Sequence, residues 1–164
     1  MPQVYKHYTY GSSFQAKRAQ GERFEKKVVQ ALKKMGAEAW IASEHRFDIR
    51  FNIEAPIMGT LPFTCECKFD DRASSTGNLA LQTFDNGKPS GIHPQGPRPD
   101  LWVHGVEDSA WFIRTSIIQS LVEMHAQTWG SKVISMGDKG PNAKGILMPI
   151  TVAKKAQGGT WVDL

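Results

Sequence analysis

Two short segments in which apolar and polar side chains alternate constrain the fold of this chain more than any other feature. In residues 47–53 (FDIRFNI) and again in residues 63–69 (FTCECKF), the odd-numbered positions are apolar and the even-numbered positions are polar. Successive side chains of a β-strand point to opposite faces, so this pattern predicts two strands that each bury one face. Pro56 and Gly59 lie between them and predict a turn, which makes an antiparallel hairpin the expected arrangement.

Helical periodicity precedes these strands. Phe24, Val28, Leu32 and Met35 recur at helical spacing, which predicts a helix over residues 15–35 whose apolar stripe lies in the core. Gly36 is the expected stop. A second helix is predicted from Thr115, as its cap, to residue 127.

The rest of the chain supplies further strands and loops. Strands are predicted at residues 37–42, 79–84, 101–106, 110–114 and 146–152, and loops at 70–78, 85–99 and 137–145. This order of elements predicts an α/β fold: a single domain over residues 14–164, with a central mixed β-sheet flanked by helices and preceded by a flexible basic arm over residues 1–13.

Composition narrows the functional classes. The 164 residues are enough for one domain with a real core, and hydrophobic residues make up 40% of them. Apolar runs are too short to span a bilayer, and residues 1–13 lack the apolar core of a signal peptide, so we expect a soluble, cytoplasmic protein with no membrane partner. Cys65 and Cys67 fall on the apolar phase of their strand, which favours buried, reduced thiols over zinc ligands.

Positive charge is concentrated at the start of the chain. Residues 1–36 carry eight basic and two acidic side chains, a net charge of +6, whereas the whole chain has a net charge of +4. A basic arm and helix suggest a polyanionic partner, although a solvated helix face would give the same composition. The expected backbone-binding cations are Lys17, Arg18, Lys26 and Lys27, and the alternative surface is the loop 85–99 with Lys88 and Arg98.

Three charged side chains fall on the polar faces of the two predicted strands. Glu66 and Lys68 are two residues apart in one strand, so they share a face at a separation of about 6.5–7 Å. Asp48 lies on the polar face of the neighbouring strand and can meet Glu66. Converging carboxylates repel each other, and a hard divalent cation such as Mg²⁺, which prefers oxygen ligands, removes that repulsion. The pattern therefore predicts a metal site at which Lys68 stabilises charge on a phosphate.

The segment Asp48…Glu66-Cys67-Lys68 resembles the Asp…Glu-x-Lys motif of the PD-(D/E)XK nuclease superfamily. The preceding helix, with Gly21-Glu22-Arg23-Phe24-Glu25 and the closing Gly36, resembles the first helix of archaeal Holliday-junction resolvases and related phage endonucleases. The segments Thr76-Gly77-Asn78, Ser90-Gly91-Ile92 and Asp100-Leu101-Trp102-Val103 resemble small phage-type members, so the resemblance covers residues 20–125. Phe47 stands where the motif often has proline.

This resemblance implies a restriction-endonuclease-like fold and a metal-dependent endonuclease that hydrolyses DNA, either structure-directed or nonspecific. It implies Mg²⁺, with Mn²⁺ as a substitute, held by Asp48, Glu66, the main-chain carbonyl of Cys67 and a helix carboxylate. Glu25 fits that last position better than Glu22 by its distance from Gly36. A homodimer, and the host cytoplasm for a phage protein, would also fit the resemblance.

Other interpretations of the same residues remain open. Glu66 and Lys68 also fit a surface pair on an ordinary sheet, which contributes little to stability. Gln82 either positions substrate or water or simply ends a strand. The alternative function is a non-catalytic nucleic-acid-binding module that retains the nuclease fold. A metal-independent α/β scaffold is a third possibility.

Overall fold

The computed structural model describes residues 11–44, 46–125, 134–136 and 142–164. Its elements are α1 (Gly11–Lys34), β1 (Glu38–Ile41), β2 (Ile49–Ala55), β3 (Gly59–Phe69), α2 (Ala73–Thr76), β4 (Asn78–Asp85), β5 (Lys88–Pro89), β6 (Leu101–Val106), β7 (Ser109–Arg114), α3 (Thr115–His125), β8 (Ile134–Ser135), β9 (Lys144–Pro149), α4 (Ile150–Lys155) and β10 (Gly159–Asp163). This is a mixed α/β domain, as the order of sequence patterns predicts.

The strands form two sheets. The larger has the order β1-β2-β3-β6-β7-β10, and in it β3 and β6 run parallel while the other neighbours run antiparallel. The smaller has the order β5-β4-β9-β8 and is antiparallel. The predicted hairpin of two alternating strands is confirmed as β2 and β3, which pair Ile49 with Cys65.

Each face of the larger sheet has its own core. On one face, α1 packs Phe24, Val28 and Leu32 against the apolar side of β3, including both cysteines. The cysteines are buried and free, so the prediction of reduced thiols in the core is confirmed. On the other face, Trp102, Trp111 and Ile113 of the larger sheet pack with the smaller sheet and α3. The larger sheet is therefore the central layer of the fold.

The first helix differs at both ends from the sequence prediction. It begins at Gly11, inside the segment predicted to be an arm, and its last residue is Lys34. Met35 is 55% exposed, so its predicted place in the core stripe is wrong. The reason is the way the helix ends. Gly36 has φ +93°, and the amides of Gly36 and Ala37 donate to the carbonyls of Lys33 and Leu32. The chain therefore leaves the helix directly after Met35, whose side chain stays at the exposed end of α1.

Other elements also differ from the sequence analysis or were absent from it. The strand predicted over residues 146–152 ends at Pro149, because helix α4 begins at Ile150. This helix buries Ala153 in the second core. The segment Gly159–Asp163 is a strand, β10, paired with β7. The predicted loops at 70–78 and 85–99 contain α2 and the two-residue strand β5. The end of the second predicted helix, residues 126–127, lies outside the described residues, as do residues 1–10 of the predicted arm and residues 137–141 of the last predicted loop.

Within the described residues, none of the helices is both long and apolar enough to cross a bilayer.

Candidate active site

Asp48 immediately precedes β2, at the end of the pairing between β2 and β3. That pairing ends with Ile49 opposite Cys65, and the Asp48 amide donates to the Cys65 carbonyl at 3.1 Å. Asp48 and Glu66 both act electrostatically on Lys68 and Glu25, so the two carboxylates belong to one charged neighbourhood. The Asp48 carboxylate also accepts a hydrogen bond of 2.7 Å from the Cys67 amide, which fixes it against β3.

Glu66 and Lys68 form an ion pair along β3. Lys68 Nζ lies 2.5 Å from Glu66 Oε1, and both side chains are mostly buried. Burial alone would lower the pKa of Lys68, but Glu66 and Asp48 outweigh it and raise that pKa above 10.5. Lys68 is therefore cationic at neutral pH, and it is held beside two carboxylates.

Glu25 brings a third carboxylate to the same place from α1. Partial burial, followed by the negative charges of Asp48, Glu22 and Glu66, raises the pKa of Glu25 from 4.5 to about 7, with Lys68 acting in the opposite direction. Glu25 is therefore within electrostatic range of Asp48 and Glu66. Glu22, by contrast, is exposed and pairs with Arg18 at 3.0 Å.

The chemistry of these donors fits a hard divalent cation. Partial burial, and then repulsion from Asp48, Glu22 and Glu66, raises the pKa of Glu25 to about 7, and a cation beside these carboxylates would remove the repulsive part. In the described part of the chain, however, no group of three or more His, Cys, Asp or Glu side chains is arranged to hold a metal ion. Lys68 Nζ is the cation next to Glu66, so metal binding would require Lys68 to move off that oxygen.

A cavity of about 650 Å³ opens beside Lys68. Three of the residues predicted to bind substrate line it, namely Lys17, Arg18 and Gln82. Gln82 is 8% exposed, lies inside β4 and donates to Ser90 Oγ at 3.2 Å, so the interpretation that it ends a strand is wrong.

The other two predicted cations lie elsewhere. Lys26 and Lys27 line a second depression with Lys34 and the C-terminal residues Val162–Leu164. Lys27 Nζ is also 3.3 Å from a carboxylate oxygen of Asp108. The structure therefore separates the predicted basic surface into two pairs. Lys17 and Arg18 lie at the cavity beside Lys68, and Lys26 and Lys27 lie outside it.

The sequence analysis missed a buried polar chain that runs from the second core to the wall of the cavity. Trp102 Nε1 donates to His104 Nδ1 at 3.4 Å, and His104 Nε2 lies 3.4 Å from Asp70 Oδ2. Burial would raise the pKa of Asp70, but hydrogen bonds from His104 and from the Ala80 and Arg72 amides hold it below 3.8. His104 lies beside Lys68 in the parallel β3–β6 pair. The continued alternation of Glu66, Lys68 and Asp70 was the signal in the sequence.

No protein-family model matches the chain, and neither does any of the curated proteins or solved structures with which it was compared.

Proposed function

We propose that this protein is a metal-dependent nuclease that hydrolyses DNA phosphodiester bonds, a member of the PD-(D/E)XK type with a restriction-endonuclease-like fold. The observation that carries the proposal is that Lys68 is paired with Glu66 and lies within electrostatic range of Asp48 and Glu25, next to the strand that holds the Asp48 carboxylate. A cluster of three carboxylates has no evident role in stability, because its members repel one another.

Each side chain has a distinct part in the proposed reaction. Asp48, Glu66 and Glu25, together with the Cys67 carbonyl, would hold Mg²⁺, or Mn²⁺ in its place. When bound, the metal polarises a phosphate oxygen and lowers the pKa of a bound water. Lys68, released from Glu66, places a positive charge against the negative charge that develops on the phosphate. Asp48 is kept in position by the Cys67 amide, so that one ligand is fixed before any cation arrives.

DNA is the proposed substrate because of the charge around the site. Lys17 and Arg18 line the cavity next to Lys68, where a phosphate backbone would lie. Contacts of this kind position a nucleic acid without reading its sequence. We therefore propose an endonuclease that responds to DNA structure, or cuts nonspecifically, and acts as a monomer or a homodimer in the cytoplasm.

The decisive experiment is a cleavage panel with Mg²⁺, with Mn²⁺ and with chelator. The panel contains duplex, single-stranded, flapped and four-way-junction DNA, and RNA. Metal-dependent cleavage of any DNA in the panel supports the proposal. If the protein binds DNA but cleaves none of it under any condition, the non-catalytic module is supported instead. The observation that favours this alternative is that Lys68, and not a metal, contacts Glu66.

Asp48→Asn and Glu66→Gln should each lower the cleavage rate by about a hundredfold or more while the thermal midpoint stays within a few degrees, because each removes a ligand charge and leaves the core intact. Lys68→Ala should lower the rate similarly but leave the calorimetric Mg²⁺ isotherm in place, since Lys68 is not a ligand. Glu54→Gln is the matched control, because Glu54 lies exposed in β2 near the hairpin turn. Near wild-type cleavage by either carboxylate variant would show that the site is elsewhere.

A further inference from the structure

The cavity beside Lys68 has a wall built by strict alternation along β4. Leu79 and Leu81 are fully buried in the second core, whereas Asn78, Ala80 and Gln82 point the other way and line the cavity. Side chains two apart in a strand share a face, so this polar and small-residue wall is a direct consequence of the sequence. The smaller sheet thus has one face in the core and one face toward the cavity.

The lining combines an apolar patch with polar and cationic groups. Leu147 of β9 pairs with Ala80, and it lies with Ile134 and Met136 on the apolar side. The side-chain amides of Asn78 and Gln82 lie in the same lining and are held in place by hydrogen bonds to the Thr76 carbonyl and Ser90 Oγ. Such a surface, mostly apolar with a few placed polar groups, is typical of small-ligand sites.

Cations exceed anions around this cavity. Four basic side chains line it, against two acidic ones: Lys17, Arg18, Lys68 and Arg72 against Asp70 and Asp71. The negative charge of Asp70 is matched by donors from His104 and two backbone amides, and Arg18 and Lys68 are themselves paired with Glu22 and Glu66, so a phosphate in the cavity would compete with those carboxylates for the two cations. A ligand with a phosphate and a flat, partly polar ring therefore complements the lining.

The cavity and the carboxylate cluster share one side chain. Lys68 lines the cavity and also contacts Glu66, so a nucleotide in the cavity would lie next to a phosphate at the carboxylates. A volume of about 650 Å³ is in the range of small-molecule sites and cannot admit a base pair within a continuous duplex. Only a nucleotide that is single-stranded or extruded from the helix can enter.

We propose that this cavity receives one unpaired nucleotide adjacent to the scissile phosphate, so that the substrate is DNA with a single-stranded or extruded residue at the cleavage point. This inference rests on the proposed nuclease function. Extruding a base that is paired costs a few kcal/mol, whereas a bulged or single-stranded base has no pairing to lose. A continuous duplex should therefore be cut about tenfold to a hundredfold more slowly than the same duplex with one bulged nucleotide.

Ala80→Leu tests the cavity, because it fills the wall and leaves every charge and the Ala80 amide bond to Asp70 in place. It should slow cleavage of bulged and single-stranded DNA by about tenfold or more and bring the bulged-to-duplex ratio close to one. Ala19→Leu is the matched control: Ala19 is exposed on α1 and does not line the cavity. Equal cleavage of bulged and continuous duplex by the wild-type protein would overturn the inference.

A binding measurement separates failure of this inference from failure of the proposed function. Duplex DNA with 2-aminopurine as the bulged base is titrated into wild-type protein and the Ala80→Leu and Ala19→Leu variants in chelator. The expected result is a change in 2-aminopurine fluorescence with wild type and Ala19→Leu that is lost with Ala80→Leu. The same change in all three proteins, or none in any, would overturn the inference even if cleavage is observed. If the expected fluorescence pattern is seen but no DNA is cleaved, the cavity is retained as a nucleotide site and the proposed nuclease function is rejected.

Discussion

The high pKa of Glu25 gives a prediction about stability that requires no substrate. Replacing it with glutamine in Glu25→Gln removes a negative charge from among Asp48, Glu66 and Glu22 while keeping the shape of the side chain. We expect the variant to be more stable than wild type above neutral pH in the presence of chelator. Most removals of a partly buried polar group destabilise a protein, so the sign of the effect is diagnostic.

The magnitude follows from the two pKa values of the carboxyl group. A rise from 4.5 to about 7 corresponds to about 3 kcal/mol between the protonated and ionised forms. Because Glu25 is only partly buried, solvent screening reduces this to about 1–2 kcal/mol. For a domain of this length, that difference shifts the thermal midpoint by about 3–6 °C.

The dependence on pH has a definite sign. Between pH 4.5 and about 7 the folded protein keeps a proton on Glu25 that the unfolded chain has lost, so wild-type stability falls as pH rises through that window. Glutamine cannot lose a proton. The advantage of Glu25→Gln should therefore be small at pH 5 and complete above pH 7, since the other groups titrate alike in both proteins.

The assay is thermal or urea unfolding of both proteins in chelator from pH 5 to pH 9, with Glu54→Gln as the control carboxylate. Added Mg²⁺ should narrow the difference, because the proposed cation would neutralise the same repulsion. Equal or lower stability of Glu25→Gln at pH 8.5 would refute the reasoning, because it would mean that Glu25 does not lie among like charges.

Two further predictions concern the cavity wall and the basic surfaces. The double variant Lys17→Gln/Arg18→Gln should reduce the slope of log Kd against log salt by about 2 for duplex binding, whereas Lys26→Gln/Lys27→Gln should leave it unchanged; the opposite ranking would place the DNA on the second depression. Asp70→Ala should lower the free energy of unfolding at pH 7 by about 2–3 kcal/mol, because buried donors lose a charged acceptor, and the loss should shrink as pH falls below 3.8; an unchanged urea midpoint at pH 7 would contradict it.

The local sequence pattern was sufficient to predict the structure wherever a residue's surroundings depend mainly on its neighbours in the sequence. The alternation in residues 47–53 and 63–69 predicted the hairpin and the burial of both cysteines, because a strand exposes alternate side chains whatever lies above it. The strand predicted over residues 47–53 begins only at Ile49, so Asp48 lies just before it. The helical spacing that ends in Gly36 predicted α1 for a similar reason. The same periodicity misplaced Met35, since the period alone does not say where the last turn stops.

Pairing between distant parts of the chain was beyond such patterns. The placement of β3 beside β6, which brings His104 next to Lys68, depends on packing between segments more than 30 residues apart. The position of Gln82 depends on the pairing of β4 with β9, and the separation of Lys17 and Arg18 from Lys26 and Lys27 depends on how α1 crosses the sheet. The short helix that begins at Ile150 was missed because a short apolar run fits a strand and a helix equally well.

The position of the charged cluster along the chain has a consequence for the order of folding. Glu25, Asp48, Glu66 and Lys68 all precede residue 70, and the hairpin that joins the two strand carboxylates is a local structure of the kind that forms in about 1–10 μs. The wall of the cavity cannot be completed until β9 has been synthesised, because β9 pairs with β4, which lies far back along the chain. During synthesis these four charged groups leave the ribosome before the wall of the cavity is complete, so the proposed metal site would form before the proposed nucleotide site.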